Sequence, residues 1–159
     1  MTKTIYSLDT SALMDGMIRH YPQASFPTLW GQIETLVQEG RLLASEEVFE
    51  DIRRHDDQLK AWLDARESQM VVATDNQIAS KVSEILGKHP RIVANMKGRN
   101  RSDPFVIAVA AIRGATVVTG EGSDGNANKP KIPFICSELA PIVPCMRFLE
   151  IVTAEGWVF

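Results

Sequence analysis

The residues best suited to chemistry in this sequence are acids that stand far apart along the chain, each beside an apolar segment. They are Asp9, the group formed by Glu46, Glu47 and Asp51, then Asp103 and Glu121. In an open α/β sheet the carboxyl ends of the strands face one crevice, so acids at those ends would converge. Converged carboxylates repel each other unless a cation lies among them. The pattern therefore predicts a divalent metal ion and chemistry on phosphate groups.

The elements that must position these acids alternate between strand and helix. Short apolar strands are predicted at residues 4–8, 42–44, 70–73 and 115–119, and helical patterns lie between them. This alternation favours a parallel sheet covered on both faces, that is, an α/β fold built as a three-layer α/β/α sandwich with a mostly parallel central sheet. We expect residues 1–159 to form a single domain.

The last part of the chain gives a different pattern. After a polar loop at residues 120–131, the sequence predicts a short strand at residues 132–136. A last helix is predicted at residues 145–154, and a terminal strand at residues 157–159.

Helix capping is the alternative explanation for two of the acids. Asp9 stands at a strand-to-helix turn, and Asp is a favoured N-cap residue. Asp103 precedes Pro104, which is the pattern of an N-cap followed by proline at the first helical position. A capping role would require neither a metal ion nor the other acids.

Composition limits the possible partners of this 159-residue chain. Its net charge is −3 and 45% of its residues are hydrophobic, as in an ordinary soluble protein. No apolar stretch reaches the length of a membrane helix, and the N-terminus lacks a signal-peptide core, so we expect a cytoplasmic protein without membrane contact.

Binding of a polyanion would have to be local, and Lys97, Arg99 and Arg101 form a basic segment suited to it. Cys136 and Cys145 are expected to be reduced thiols.

Four motifs that carry the acids, in this order, resemble those of PIN-domain nucleases. The likeness is greatest to a branch of small bacterial proteins related to the VapC toxins, and it covers most of the chain. The motifs are Leu-Asp-Thr-Ser-Ala-Leu at residues 8–13, Ser-Glu-Glu-Val-Phe-Glu-Asp-Ile at 45–52, Ser-Asp-Pro-Phe-Val-Ile-Ala-Val-Ala at 102–110 and Thr-Val-Val-Thr-Gly-Glu at 116–121.

The resemblance implies roles for individual residues. Asp9 corresponds to the first carboxylate of the family and Asp103 to the third. The second is either Glu47 or Asp51, which stand four residues apart on one helical face. Glu121 takes the fourth place, with Asp124 as a weaker substitute.

Two hydroxyl residues complete the set that the resemblance implies. Ser11 and Thr119 could hydrogen-bond the carboxylates or a bound water, and structural capping is the alternative for both. The Mg²⁺ or Mn²⁺ ion expected in this family would be bound by Asp9, Asp103, Glu121 and Glu47.

The function that the resemblance implies is metal-dependent cleavage of single-stranded RNA. Many family members are toxins that a partner antitoxin keeps silent, and many are homodimers. Two other functions remain open. A PIN-like fold with a degenerate site would bind RNA or protein without cleavage. A metal-dependent phosphatase of the aspartyl type is disfavoured, because Ser11 stands where that chemistry needs a second Asp.

Overall fold

The computed structural model describes residues 3–55, 57–94 and 102–159. Within these ranges five parallel strands form one sheet in the order β3-β2-β1-β4-β5. The strands are β1 (Tyr6–Leu8), β2 (Leu42–Ser45), β3 (Val71–Val72), β4 (Thr116–Val118) and β5 (Cys145–Met146). The predicted parallel α/β architecture is therefore confirmed.

The described helices alternate with the strands along the chain. They are α1 (Thr10–Leu13), α2 (Pro27–Gln38), α3 (Glu46–His55), α4 (Asp57–Asp64), α5 (Glu67–Met70), α6 (Asn76–Lys88), α7 (Arg91–Ala94), α8 (Asp103–Arg113), α9 (Ile132–Glu138) and α10 (Glu150–Glu155). A π-helical segment, Met14–His20, continues α1. None of the helices in the described ranges has the length and apolar character needed to cross a membrane.

Helices cover both faces of the sheet. Successive side chains of a strand point to opposite faces. The Ser7 hydroxyl donates to the carbonyl oxygen of Val106 in α8, whereas the Tyr6 hydroxyl donates to Glu155 in α10. Because neighbouring residues of β1 meet different helices, the sheet is the middle layer of three.

Helix α8 is the central support of the candidate site. It contacts β1, β2 and β4 on one side and α6 on another. Its residues between Pro104 and Ala110 are apolar and almost all buried, so α8 has no polar face of its own. This burial fixes the first residue of the helix, Asp103, relative to the strands.

The C-terminal predictions were partly wrong. Residues 132–136 form part of a helix, α9, rather than a strand, because Pro133 suits the first turn of a helix and cannot donate a hydrogen bond in a sheet. The strand beside β4 is Cys145–Met146, which lies inside the predicted last helix, and that helix begins only at Glu150.

The terminal strand predicted at residues 157–159 does not form. Gly156 ends α10 with a φ of 70°, a conformation that favours glycine. The backbone amide of Trp157 then donates to the carbonyl oxygen of Val152 and closes the helix end. The last two residues, Val158 and Phe159, are exposed.

Candidate functional site

The order of the strands determines where a site can form. The chain passes from β1 to β2 and β3 on one side, then returns to β4 and β5 on the other. The boundary between β1 and β4 is the point where this order reverses, and ligands of open α/β sheets bind at such a point beyond the carboxyl ends of the strands. Asp9 comes directly after β1 there, and Thr119 directly after β4.

Asp9 is 3% exposed, and two hydroxyl groups hold its carboxylate. Ser11 Oγ donates to Asp9 Oδ2 at 2.6 Å, and Thr119 Oγ1 donates to the same oxygen at 2.9 Å. Asp9 stands at the N-cap position of α1 but makes no side-chain capping hydrogen bond. The structure therefore does not give this carboxylate the capping role that the sequence left open.

The two hydroxyls are themselves fixed by the loop after β4. The backbone amide of Gly120 donates to Ser11 Oγ at 2.9 Å, and that of Glu121 donates to Thr119 Oγ1 at 3.1 Å. A hydroxyl has only one proton to donate. Since each amide donates to its hydroxyl, the hydroxyl protons of Ser11 and Thr119 are both available to Asp9.

Asp103 is the first residue of α8, and it is 5% exposed. Ser102 occupies the N-cap position, so the predicted capping role of Asp103 was wrong by one residue. Burial raises the pKa of Asp103, and the charges of Asp9 and Glu121 raise it further. A hydrogen bond between Asp103 and Glu121 also raises this pKa, because only a protonated Asp103 can donate it.

The pKa of Asp9 is raised as well, for a related combination of causes. Burial is the largest, and the charge of Glu121 acts in the same direction. The hydrogen bonds from Ser11 and Thr119 oppose the rise, since they stabilise the ionised carboxylate. Asp9, Asp103 and Glu121 thus interact electrostatically, as the sequence predicted for acids at one edge of the sheet.

The candidates for the second carboxylate lie on α3. The charge of Asp51 contributes to the raised pKa of Asp103, whereas Glu47 is not among the main causes. Glu46 faces another direction, since its Oε1 accepts the backbone amide of Thr74 at 3.0 Å. Ser45 caps the helix, since its hydroxyl oxygen accepts the backbone amide of Glu47. Of the two candidates, Asp51 is the one that interacts with the other acids in this way.

The fourth acid, Glu121, is held from two directions. Its Oε2 accepts the backbone amide of Ile132, the first residue of α9, at 2.7 Å, and its own amide is held by Thr119. Asp124 does not replace it, because Asp124 is exposed and paired with Lys131.

Sequence reasoning missed Asp15, a further acid beside this group. The π-helical segment places its carboxylate next to Gly120, so closely that a Cβ atom at position 120 would collide with Asp15 Oδ2. Asp15 is ion-paired with Arg19 at 2.7 Å. In the sequence, this i, i+4 pair is typical of an exposed helix surface, which is why it gave no signal.

The donor set suits a hard cation in its chemistry. Mg²⁺ and Mn²⁺ prefer carboxylate oxygens, and the buried pair Asp9 and Asp103 repel each other in the way that a cation would relieve. As these side chains are placed, however, no three Asp, Glu, His or Cys residues in the described ranges are grouped closely enough to hold one ion. In residue type and in the burial of Asp9 and Asp103, this set of acids nevertheless fits a metal ion.

A pocket of about 190 Å³ opens beside the acids and contains Thr119, Glu121, Cys145 and Arg147 in its wall. The residues predicted to bind RNA, Lys97, Arg99 and Arg101, lie outside the described residues.

Comparison with known proteins gives a family and a fold. Residues 6–159 match the model of a family described as "Domain of unknown function (DUF4411)", so the chain belongs to that family. No curated protein matches significantly. The fold is similar to that of a chain in the crystal structure of VapBC2 from Rickettsia felis bound to a DNA fragment from their promoter, with 16% identity and a TM-score of 0.54. The likeness covers 91% of this chain and 98% of the other.

Proposed function

We propose that this member of the DUF4411 family is a metal-dependent endoribonuclease that cleaves single-stranded RNA. The observation that carries the proposal is the buried pair Asp9 and Asp103, whose pKa values are both raised and which lie with Glu121 at the switch point of the sheet. Titratable groups perturbed in this way are typical of functional sites. Their chemistry favours a cation and therefore a phosphate substrate.

Each of the chain's own residues would have a distinct role. Asp9, Asp103 and Glu121, with Glu47 or Asp51 from α3, would hold Mg²⁺ or Mn²⁺. The bound cation would supply an activated water and offset charge on the phosphate oxygens. Ser11 and Thr119 hold Asp9 in one orientation and favour its ionised form. Ile132, through its amide, holds Glu121 at the rim.

The biological setting is proposed from the family resemblance and the fold. A structure of VapBC2 shares the fold, and the sequence motifs resemble those of VapC toxins. We therefore propose that the chain is the toxin of a type II toxin–antitoxin pair, acts in the cytoplasm, forms a homodimer and is inhibited by an antitoxin protein. We also propose that residues 1–159 act as one domain.

The experiment that tests the proposed activity is cleavage of a mixed single-stranded RNA by the wild-type chain and Asp9→Asn, with Mn²⁺, Mg²⁺ or EDTA. We expect cleavage with either ion, none with EDTA and none by the variant. Equal cleavage by the wild type and the variant would contradict the assignment of Asp9 and indicate a contaminating nuclease.

A second candidate is an RNA-binding or protein-interaction module with a degenerate site. It is favoured by the spacing of the acids, since no three metal-binding side chains in the described part of the chain are grouped around one point. Manganese binding distinguishes the two functions. A degenerate site would show no Mn²⁺-dependent rise in melting temperature, whereas the nuclease would show one that Asp9→Asn removes.

A further inference from the structure

Arg147 occupies the same structural position on β5 that Asp9 occupies on β1, directly after the end of the strand. It is the first residue after Met146, where β5 ends. Because β5 is parallel to β4 and β1, its carboxyl end lies at the edge that carries Asp9 and Glu121. Arg147 falls within the helix that the sequence predicts at residues 145–154, and none of the four motifs includes it.

The side chain and backbone of Arg147 are both held at this edge. Its Nη1 donates to the carbonyl oxygen of Gly120 at 3.2 Å, and its backbone amide donates to Glu150 Oε1 at 3.2 Å. A Cβ atom at Gly122 would lie 3.8 Å from Nη2, which is ordinary contact. The guanidinium therefore lies over the backbone on both sides of Glu121.

Arg147 keeps most of its hydrogen-bonding capacity. A guanidinium has five N–H donors, and the contact with Gly120 uses one of them. Arg19, Arg41, Arg53 and Arg66 are all neutralised by carboxylates. Arg147 is exposed and has no ion-pair partner in the described ranges, so its charge and its remaining donors can bind an anion.

The space beside Arg147 leads to the acids. The 190 Å³ pocket is lined by Arg147 and Glu150 together with Thr119, Glu121 and Ser123. Its volume equals that of roughly six water molecules, which is room for a phosphodiester group. A group of acids repels a polyanion, and a positively charged side chain at the rim offsets part of that repulsion.

We propose that Arg147 binds a phosphate of the RNA backbone at the rim of the acid group. The inference rests on the proposed function and deepens it, because it names the contact that holds the substrate. An Arg fork suits a phosphodiester, since two parallel N–H groups can meet two phosphate oxygens. The residue binds substrate and takes no part in proton transfer.

The test compares Arg147→Ala and Arg147→Lys with Arg113→Ala in cleavage of a single-stranded RNA oligonucleotide. Arg113 ends α8, away from the carboxyl edge, and serves as the matched control. We expect Arg147→Ala to raise KM about tenfold and to change kcat less than about threefold, because a phosphate contact contributes mainly to binding. Lys should restore part of the loss, and Arg113→Ala should behave as wild type.

The salt dependence of RNA binding distinguishes a lost phosphate contact from a structural defect, because a structural defect alone would not change it. Each phosphate contact contributes about −0.7 to the slope of log affinity against log salt for single strands. We therefore expect the slope for Arg147→Ala to be shallower by about 0.7, measured by fluorescence anisotropy in EDTA, with an unchanged melting temperature. An unchanged KM and salt slope would overturn the inference and leave the proposed nuclease intact.

The two proposals fail in different ways. If the wild type binds RNA without cleaving it and Arg147→Ala weakens that binding, the Arg147 contact stands and the nuclease proposal falls. If the wild type neither binds nor cleaves RNA, both proposals are overturned.

Discussion

Thr119 Oγ1 donates a 2.9 Å hydrogen bond to Asp9 Oδ2 across the boundary between β4 and β1. The same oxygen of Thr119 accepts the backbone amide of Glu121 at 3.1 Å. One hydroxyl thus connects two of the acids, although they are far apart in the sequence. Its hydrogen bond lowers the pKa of Asp9 against the larger effect of burial, so it favours the charge that a cation would require.

Replacement of Thr119 by Val should therefore weaken the site. The variant keeps the side-chain volume but leaves a buried carboxylate and the amide of Glu121 each short of one partner. We expect a loss of about 1–3 kcal/mol in the free energy of unfolding at pH 7, the usual cost of unsatisfied buried polar groups. Urea denaturation measures it. The control Thr119→Ser keeps the hydroxyl, and a larger loss for Ser than for Val would indicate that the methyl group matters instead.

The sequence predicted the central part of the fold because each of its signals is local. Strands β1 and β4 are mostly apolar and end directly before polar residues, and Gly114 stops α8 with a φ of 65°. The acids could be assigned to one edge since parallel strands share their direction. The segment after β4 was less accessible to prediction, because a two-residue strand such as Cys145–Met146 has no periodicity to recognise.

Parts of the site depend on packing that the sequence does not display. Asp15 reaches Gly120 through a π-helical segment, and the sequence gives no sign that α1 changes its winding at Met14. No signal in the sequence indicated Arg147 either, because its position at the edge depends on β5, a strand that the sequence did not predict. The choice between Glu47 and Asp51 turns on small differences in direction along α3, which spacing alone leaves open.

Asp103→Asn should abolish cleavage and raise the melting temperature in EDTA. Without a cation, folding at pH 8 requires Asp103 to carry a proton that the unfolded chain would release, because burial and the charge of Asp9 raise its pKa. Asparagine removes that requirement. We expect a rise of about 2–4 °C, the change that 1 kcal/mol produces in a protein of this size.

The control for Asp103→Asn is Asp124→Asn. Asp124 is also near this edge but is exposed and paired with Lys131, so its loss should change the melting temperature little. A strongly lowered melting temperature for Asp103→Asn would mean that the carboxylate supports the start of α8.

The two cysteines should differ in their reactivity toward thiol reagents. A hydrogen bond from Cys136 lowers the pKa of Cys145, which is half-buried at the pocket wall, whereas that same bond and burial raise the pKa of Cys136. The thiolate is the reactive form. We therefore expect iodoacetamide at pH 7.5 to modify Cys145 first, as measured by mass spectrometry. Cys136→Ala should slow that labelling and Cys136→Ser should preserve it, while equal labelling of both thiols in the native protein would contradict the prediction.

The pH dependence of stability should have an unusual sign. The pKa values of Asp9 and Asp103 are raised in the folded chain, so above about pH 4, where an unfolded Asp ionises, the folded state binds more protons than the unfolded state. The free energy of unfolding then falls as the pH rises. Acids with lowered pKa values, such as Asp124 beside Lys131, act in the opposite direction only at lower pH.

Urea denaturation between pH 5.5 and 8.5 in EDTA measures this effect. We expect a decrease of up to about 1.4 kcal/mol per pH unit for each proton that is released, a smaller slope for Asp103→Asn, and a flat or rising profile when Mn²⁺ is added. Manganese should remove or reverse the decrease because it binds the ionised carboxylates of the folded state. A flat profile for the wild type in EDTA would contradict the raised pKa values of Asp9 and Asp103 in the folded chain.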